Sequence, residues 1–484
     1  MKKLVIIVCV TFGFSGICLG QSDRVDAKDT TQVEYLTLED CVSQALENNL
    51  DIKTADMDAD IAAIYHRQAK ASQLPSVSAN IDHGLNSGRS INPSDNSYIS
   101  QSFTSANYNL SASLSLWNGF KVRNYIRKTK LDEEAGKWDA QQQKDAITIE
   151  VIAAYLEVLN QQELLNNYYK QLLSTEVQYN RLDTLNQSGA ASPADLYDLK
   201  GQLSSSELAV IDQKNLIKTA KITLFQLMNR PLNMDIVLKE PAAMDQKTAD
   251  EKSIDGIYRS ALSYLPSVKS AELKYKSSIK NVAVEKADYY PSLSLNGGIG
   301  TAFSSAATRS VAGAPITEEN GNYVISGTDK LPVYSSSTPM SYHDIPYWDQ
   351  LKNNYGTNVN VTLNIPLFNK LQSKTDVKVA KLQQDLAKVQ LNTAQTQLKN
   401  TIGRAYFDQQ TALESWLKQQ DQVAAYKEYF RISEVKFNAG AINSAEYLIA
   451  KTKLNQAENS LVAAKYNYIF KTKILSYYEG ALSL

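Results

Sequence analysis

The 484-residue sequence predicts an α+β membrane protein in which long helices alternate with short membrane-crossing strands. Three observations carry this reading. The chain repeats itself, two long tracts contain no proline, and four runs of about ten residues alternate strictly between apolar and polar side chains.

The repeat is plainest at two joints, "QAKASQLPSVSANI" (residues 68–81) and "VEKADYYPSLSLNG" (residues 284–297). In each, a charged helix-like run gives way to Pro-Ser and then to alternation, and Pro75 and Pro291 stand 216 residues apart. Further on, Trp117 in "LSLWNGFK" and Phe368 in "LNIPLFNK" are 251 apart, as are Gly189 and Gly440. The register jumps once, by 35 residues, between the two strands of the second copy, so one copy carries a longer hairpin loop. The units are residues 21–230 and 254–484, joined by a linker over 231–253 with two prolines and mixed charge.

The helices come from where proline is missing. None lies between Pro93 and Pro193, and none after Pro366; proline breaks helix interiors, so these gaps can hold long helices. The tract from Lys121 to Gln187 is 67 residues with one glycine, Gly136, roughly 100 Å as a single helix. Ile147, Val151, Ala154 and Val158 form one apolar stripe and Ile149, Ile152, Leu156 and Leu159 a second beside it. Two stripes require neighbours on two sides, as in the wall of a helical tube. Leu398, Ile402 and Ala405 repeat the pattern in the second copy.

The strands follow from period two. Val77, Ala79, Ile81 and Leu85 alternate with Ser76, Ser78, Asn80 and Asp82, and Tyr108, Leu110, Ala112, Leu114 and Leu116 with Asn109, Ser111, Ser113 and Ser115. Leu293, Leu295 and Ile299 are set against Ser292, Ser294 and Asn296, and Val359, Val361, Leu363 and Ile365 against Asn358, Asn360, Thr362 and Asn364. A soluble sheet with one wet face would read the same way. The length, however, is that of a tilted strand crossing a bilayer, and aromatics edge the runs: Tyr98, Trp117 and Phe120, then Tyr289, Tyr290, Tyr355 and Phe368. Four strands cannot close a barrel, and an open edge in lipid leaves backbone groups unsatisfied, so several chains must pool their strands.

Composition narrows the class further. Fifty basic against 51 acidic side chains nearly cancel, so no charge signature points to a nucleic-acid partner. Residues 1–20 read as a secretory signal peptide, with Lys2 and Lys3, an apolar Leu4–Phe14 run and a small-residue cleavage site at Leu19-Gly20. A lipidated Cys18 is the alternative reading of this leader, although Ile17 before it is large for the usual lipoprotein site. Cys9 and Cys18 lie in this leader, leaving Cys41 to act as a small buried hydrophobe, with no internal disulfide.

These joints, the opening "LTLEDCVSQALENNLDIK", the "PLFNK" at Pro366–Lys370 and the glycine turns resemble the TolC family of outer-membrane efflux ducts across essentially the whole mature chain. The resemblance implies a trimeric outer-membrane β-barrel, four strands per chain, continued by a long periplasmic α-helical barrel. It also implies a homotrimer in outer-membrane lipid that works with a periplasmic adaptor protein and an inner-membrane pump. The 231–253 linker would then be part of a belt around the tunnel, and the Ser304–Asn354 loop, rich in Ser, Thr, Tyr and Pro, would face the cell exterior. "WNGFK" departs from the family's usual Pro-Leu-Phe form of that joint.

No catalytic constellation is present. His66, His83 and His343 show no metal-ligand spacing, and "NGGIG" lies within a strand pattern with no helix after it. The expectation is a passive conduit, not an enzyme, with no cofactor and no metal. The functional candidates are the two glycine turns. Gly189, Ala190, Ala191 and Ser192, and Gly440, Ala441, Ile442 and Asn443, would form periplasmic tips at which the adaptor docks, as the resemblance implies. Asp195, Glu446 and Phe437 would line the periplasmic entrance. On local chemistry alone, Ser192 with Asp195 and Asn443 with Glu446 read as helix capping boxes, with Pro193 at a first helical position. The second acid expected one turn after Glu446 is absent, Ile449 standing there. The competing reading is a trimeric coiled-coil adhesin or envelope scaffold without transport, which would have one anchor and a stalk and not two strand pairs bracketed by helices.

Overall fold

Two helices, α1 (Leu38–Asn48) and α2 (Leu50–Ala71), open the part of the chain that the computed structural model describes, residues 34–240 and 253–481 except 92–95, 97 and 101. The leader at 1–20 and residues 241–252 of the linker lie outside the described residues. Thr37 and Asp40 cap α1 reciprocally: the Asp40 N–H donates to Thr37 Oγ1 (3.1 Å) and the Thr37 N–H to Asp40 Oδ2 (2.9 Å).

Each proline joint then works as its residue chemistry requires. Pro75 sits immediately before β1 (Ser76–Asn86) and Pro291 immediately before β3 (Ser292–Ser304), a place where the missing N–H removes no ladder bond. β2 (Phe103–Trp117) and β4 (Gly356–Asn364) complete one antiparallel sheet in the order β4-β3-β2-β1.

The register aligns like with like across the sheet. Val361 faces Leu295, which faces Leu114, while Asn360 faces Asn296, which faces Ser113 and then Ser76. The polar face is concave, enclosing about 350 Å³ among Ser76, Ser78, Ser111, Ser113, Asn296 and Asn358. The apolar face is bare: Val77, Ile81, Leu85, Val359, Val361 and Leu363 are all exposed. Trp117, Phe120, Tyr289, Tyr290, Tyr355 and Phe368 are exposed at the strand ends. Among the described residues β1 and β4 have no partner on their outer edges.

Residues 304–354 depart from the expected loop. They fold into a ribbon: Thr308–Ala312 pairs with Met340–Asp344, Ile316–Ser326 pairs with Asp329–Ser337, and α7 (Tyr347–Asn353) leads back to β4. Tyr323, Val324 and Ile325 supply the β-branched and aromatic residues that favour strands.

The helices run long. α3 (Lys121–Gln187) has the bounds its proline-free tract predicts, and α8 (Gln372–Asn438) matches it at 67 residues. α4 (Pro193–Leu227) and α9 (Ser444–Glu479) turn back along them. α5 (Ile254–Tyr264) and α6 (Pro266–Lys286) precede β3. Both predicted stripes of α3 pack into the core, with Ile149 only half-buried. Around the midpoint of α3, Tyr35–Leu36 pairs in parallel with Val237–Leu238. The buried Tyr155 hydroxyl ties them there, within hydrogen-bonding distance of the carbonyls of Lys239 (2.5 Å) and Leu36 (3.1 Å). Arg230 grips Glu34 with two parallel bonds of 2.8 and 2.9 Å. Cys41 is fully buried in this core, and desolvation pushes its thiol up to about 12. No helix among the described residues is long and apolar enough to cross a membrane.

Candidate functional site

The far ends of the two hairpins, α3–α4 and α8–α9, bring the predicted tip residues together. α3 stops at Ser188, and Gly189 takes φ +75°, so that the Gly189 N–H donates to the Asn186 carbonyl (2.9 Å) and the Ala190 N–H to the Leu185 carbonyl (2.8 Å). Gly440, at φ +72°, closes α8 in the same way, with the Ala441 N–H donating to the Lys436 carbonyl (2.9 Å). Both positions favour glycine because a Cβ is strained in the left-handed region. Gly189, Ala190, Ser192, Gly440, Ala441 and Asn443 are exposed, and Ala191 and Ile442 half-buried.

The helix starts that follow are capped, but neither forms the full capping box expected. Ser192 Oγ accepts from the Ala194 N–H (3.2 Å), one residue short of Asp195, and Pro193 occupies the first helical position. Asp195 does something else: its Oδ1 accepts from Ser444 Oγ at 2.8 Å, across 249 residues of sequence. In the second copy Asn443 Oδ1 accepts from the Glu446 backbone N–H (2.8 Å), while the Glu446 side chain is exposed and makes no hydrogen bond among the described residues. A second tie between the hairpins runs from Arg181 Nη1 to Asn438 Oδ1.

Phe437, expected at the entrance, is half-buried and stacks on Tyr447, with ring centroids 4.7 Å apart and planes 23° apart. Phe430 packs on the same ring from 5.6 Å. Tyr447 is almost fully buried, and loss of hydration pushes its hydroxyl up to about 12. Phe437 therefore anchors α8 to α9 just above the tip. The heptad spacing of Phe430 and Phe437 was a legible signal for this anchor, since two turns separate residues on one helix face. Ser444, Arg181 and Asn438 carry no such signal. Ile449 is exposed. Among the described residues no group of His, Cys, Asp and Glu is arranged to hold a metal ion.

Comparison with known proteins decides the family. Residues 41–230 and 257–472 match the outer membrane efflux protein family. The chain belongs to this family. Relatives of this efflux protein include the toluene efflux pump outer membrane protein TtgC of Pseudomonas putida, 22% identical over 88% of this chain and 79% of that protein. The outer membrane protein TolC of Vibrio cholerae is 21% identical over 92% of this chain and 91% of its own. Among solved structures, the Campylobacter jejuni CmeC outer membrane channel superposes with a TM-score of 0.73 at 20% identity, covering 92% of this chain and 86% of that one. The open state of the Neisseria gonorrhoeae MtrE outer membrane channel gives 0.70 at 18%, covering 92% and 89%. These likenesses establish the efflux protein's fold.

Proposed function

We propose that this protein is the outer-membrane exit duct of a tripartite efflux or secretion system: a passive, non-catalytic conduit coupled to a periplasmic adaptor and an inner-membrane pump. One observation carries the reading. A four-stranded sheet with an aliphatic outer face, a polar concave face and two open edges is joined directly to 67-residue helices. In lipid those edges need partners. Three copies, giving twelve strands, would close them into one barrel with water inside and lipid outside. The similar order and lengths of elements in the two halves support a duplicated unit whose six helical hairpins in the trimer continue the barrel as a periplasmic tunnel. Membership of an outer-membrane efflux family, and relatives named as efflux pump components, support the coupling to a pump. The adhesin alternative lacks support, because a stalk with a single anchor needs no second strand pair.

On this reading the exposed turns at 189–192 and 440–443 dock the adaptor, and Asp195 and Glu446 ring the entrance. Native mass determination in detergent should give three chains, and the purified protein should conduct ions across planar bilayers. A monodisperse monomer with intact strand content, or a trimer that never conducts, would refute it.

A further inference from the structure

One lysine in the helical end of the molecule lies buried without a counter-charge. Lys451, on α9, is 6% exposed and has no carboxylate within ion-pairing distance among the described residues. Of its three N–H donors, one reaches Thr175 Oγ1 on α3 at 2.9 Å. The Thr175 hydroxyl donates its own hydrogen bond to the Gln171 carbonyl (2.8 Å), so it is held as an acceptor toward the lysine. Burying an ammonium without a partner is costly. Desolvation accordingly pulls Lys451 down to about 8, Glu434 on α8 opposing this only through space.

The ammonium borders a cavity of about 110 Å³ between α3, α4 and α9. Its lining carries no acidic side chain; it includes Gln171, Ser205, Ser206, Thr452 and Asn455. Gln171 contributes a second, independent signal: its Nε2 is buried and has no hydrogen-bond partner. Lys451 and Gln171 thus line one small cavity together with several hydroxyls. The volume exceeds that of a single water, whose share of liquid is about 30 Å³, and is far too small for an organic anion of cargo size.

We propose that this cavity binds a small monovalent anion of the halide class, held by Lys451 Nζ and by the hydroxyl and amide groups that line the cavity. The anion neutralises the ammonium and fastens α9 to α3 and α4, roughly two to four turns from the tips. A single positive charge and neutral hydroxyl and amide donors suit one monovalent ion better than phosphate, which would bring a second negative charge with no cation to meet it.

Bromide is the probe. Crystals of the full assembled protein grown in sodium bromide should show an anomalous peak in this cavity beside Lys451 Nζ in every chain, and Lys451→Met crystals should lack it. In detergent, exchanging gluconate for bromide at constant ionic strength should raise the melting temperature of the wild type by several degrees and leave Lys451→Met unmoved. Gln171→Leu, which keeps the lysine, should weaken the response and serves if Lys451→Met does not fold. Ordered water alone in the cavity overturns the proposal. So does a bromide peak accompanied by equal melting responses in wild type and variants, which would mark binding at crystal concentration only.

Discussion

The bond from Ser444 to Asp195 sets up the sharpest test of the tips as a gate. It joins the first residue of α9 to the first turn of α4, so the two hairpins of one chain cannot part without breaking it. Ser444→Ala removes the donor and leaves α9 intact, because the cap is supplied by Asn443. Asp195→Ala removes the acceptor and leaves the cap of α4, which uses Ser192. Both partners are half-buried, so the bond belongs at the low end for a charged acceptor, about 1 kcal/mol. That is roughly a fivefold change in the ratio of parted to clasped tips per chain. If three chains open together the terms add to about 3 kcal/mol, on the order of a hundredfold.

Single-channel recording reads this directly. Each single variant should raise the fraction of time spent in the high-conductance state, and the double variant should do no more than either single one. Arg181 and Asn438 remain as a second tie, so opening will be partial. Unchanged gating in both variants, or a double variant whose effect equals the sum of the two, would show that the bond does not hold the entrance shut.

Three further outcomes follow from other contacts. Glu446→Gln should reduce cation preference and divalent block in the same recordings with no change in melting temperature, because the cap uses the Glu446 backbone N–H; Asn443→Ala should do the reverse, costing about 1 kcal/mol of stability. Lys451 is depressed to about 8, so its burial penalty is present in full below pH 8 and lifts as pH rises toward the 10.5 of unfolded lysine; in halide-free buffer stability should climb by up to about 3 kcal/mol across that window, and Lys451→Met should flatten the climb in denaturant titrations. Protease added to intact cells should cut within residues 304–354 and spare α3 and α8, while cutting that appears only after the outer membrane is breached would reverse the orientation.

Legibility followed the range of the physics. Proline placement and period-two alternation are local, and they located α3 to the residue and the four strands to within a few. The Ser, Thr and Tyr content of 304–354 reads as loop composition and hides the ribbon. Yet Ile316–Ser326 and Asp329–Ser337 are separated by only Gly327 and Thr328, and Gly327 takes φ +67°, which is hairpin chemistry. At the tips the same contrast holds. The glycine turns and cap residues were visible because each satisfies backbone groups a few residues away. The Asp195–Ser444 bond was not, since no local rule connects positions 249 apart.

That bond also separates two acids that the repeat makes equivalent. Asp195 and Glu446 are 251 residues apart, and so are the residues two places before them, Pro193 and Ser444. Within a chain Asp195 meets the Ser444 hydroxyl. In the proposed trimer the same packing recurs between chains with the copies exchanged, and Glu446 would then face Pro193 of the partner subunit, which has no hydroxyl to donate. The boundary inside each chain is clasped, and in the proposed trimer the boundary between chains would not be. The free carboxylate of Glu446 and the missing clasp would then both follow from a single exchange, serine for proline at a helix start. It follows that an entrance built this way would yield first between subunits, each pair of hairpins moving as one body. Pro193→Ser tests the argument: a hydroxyl restored at that position should lower open time at the tips, and open time that is unchanged would mean the two boundaries are not packed alike.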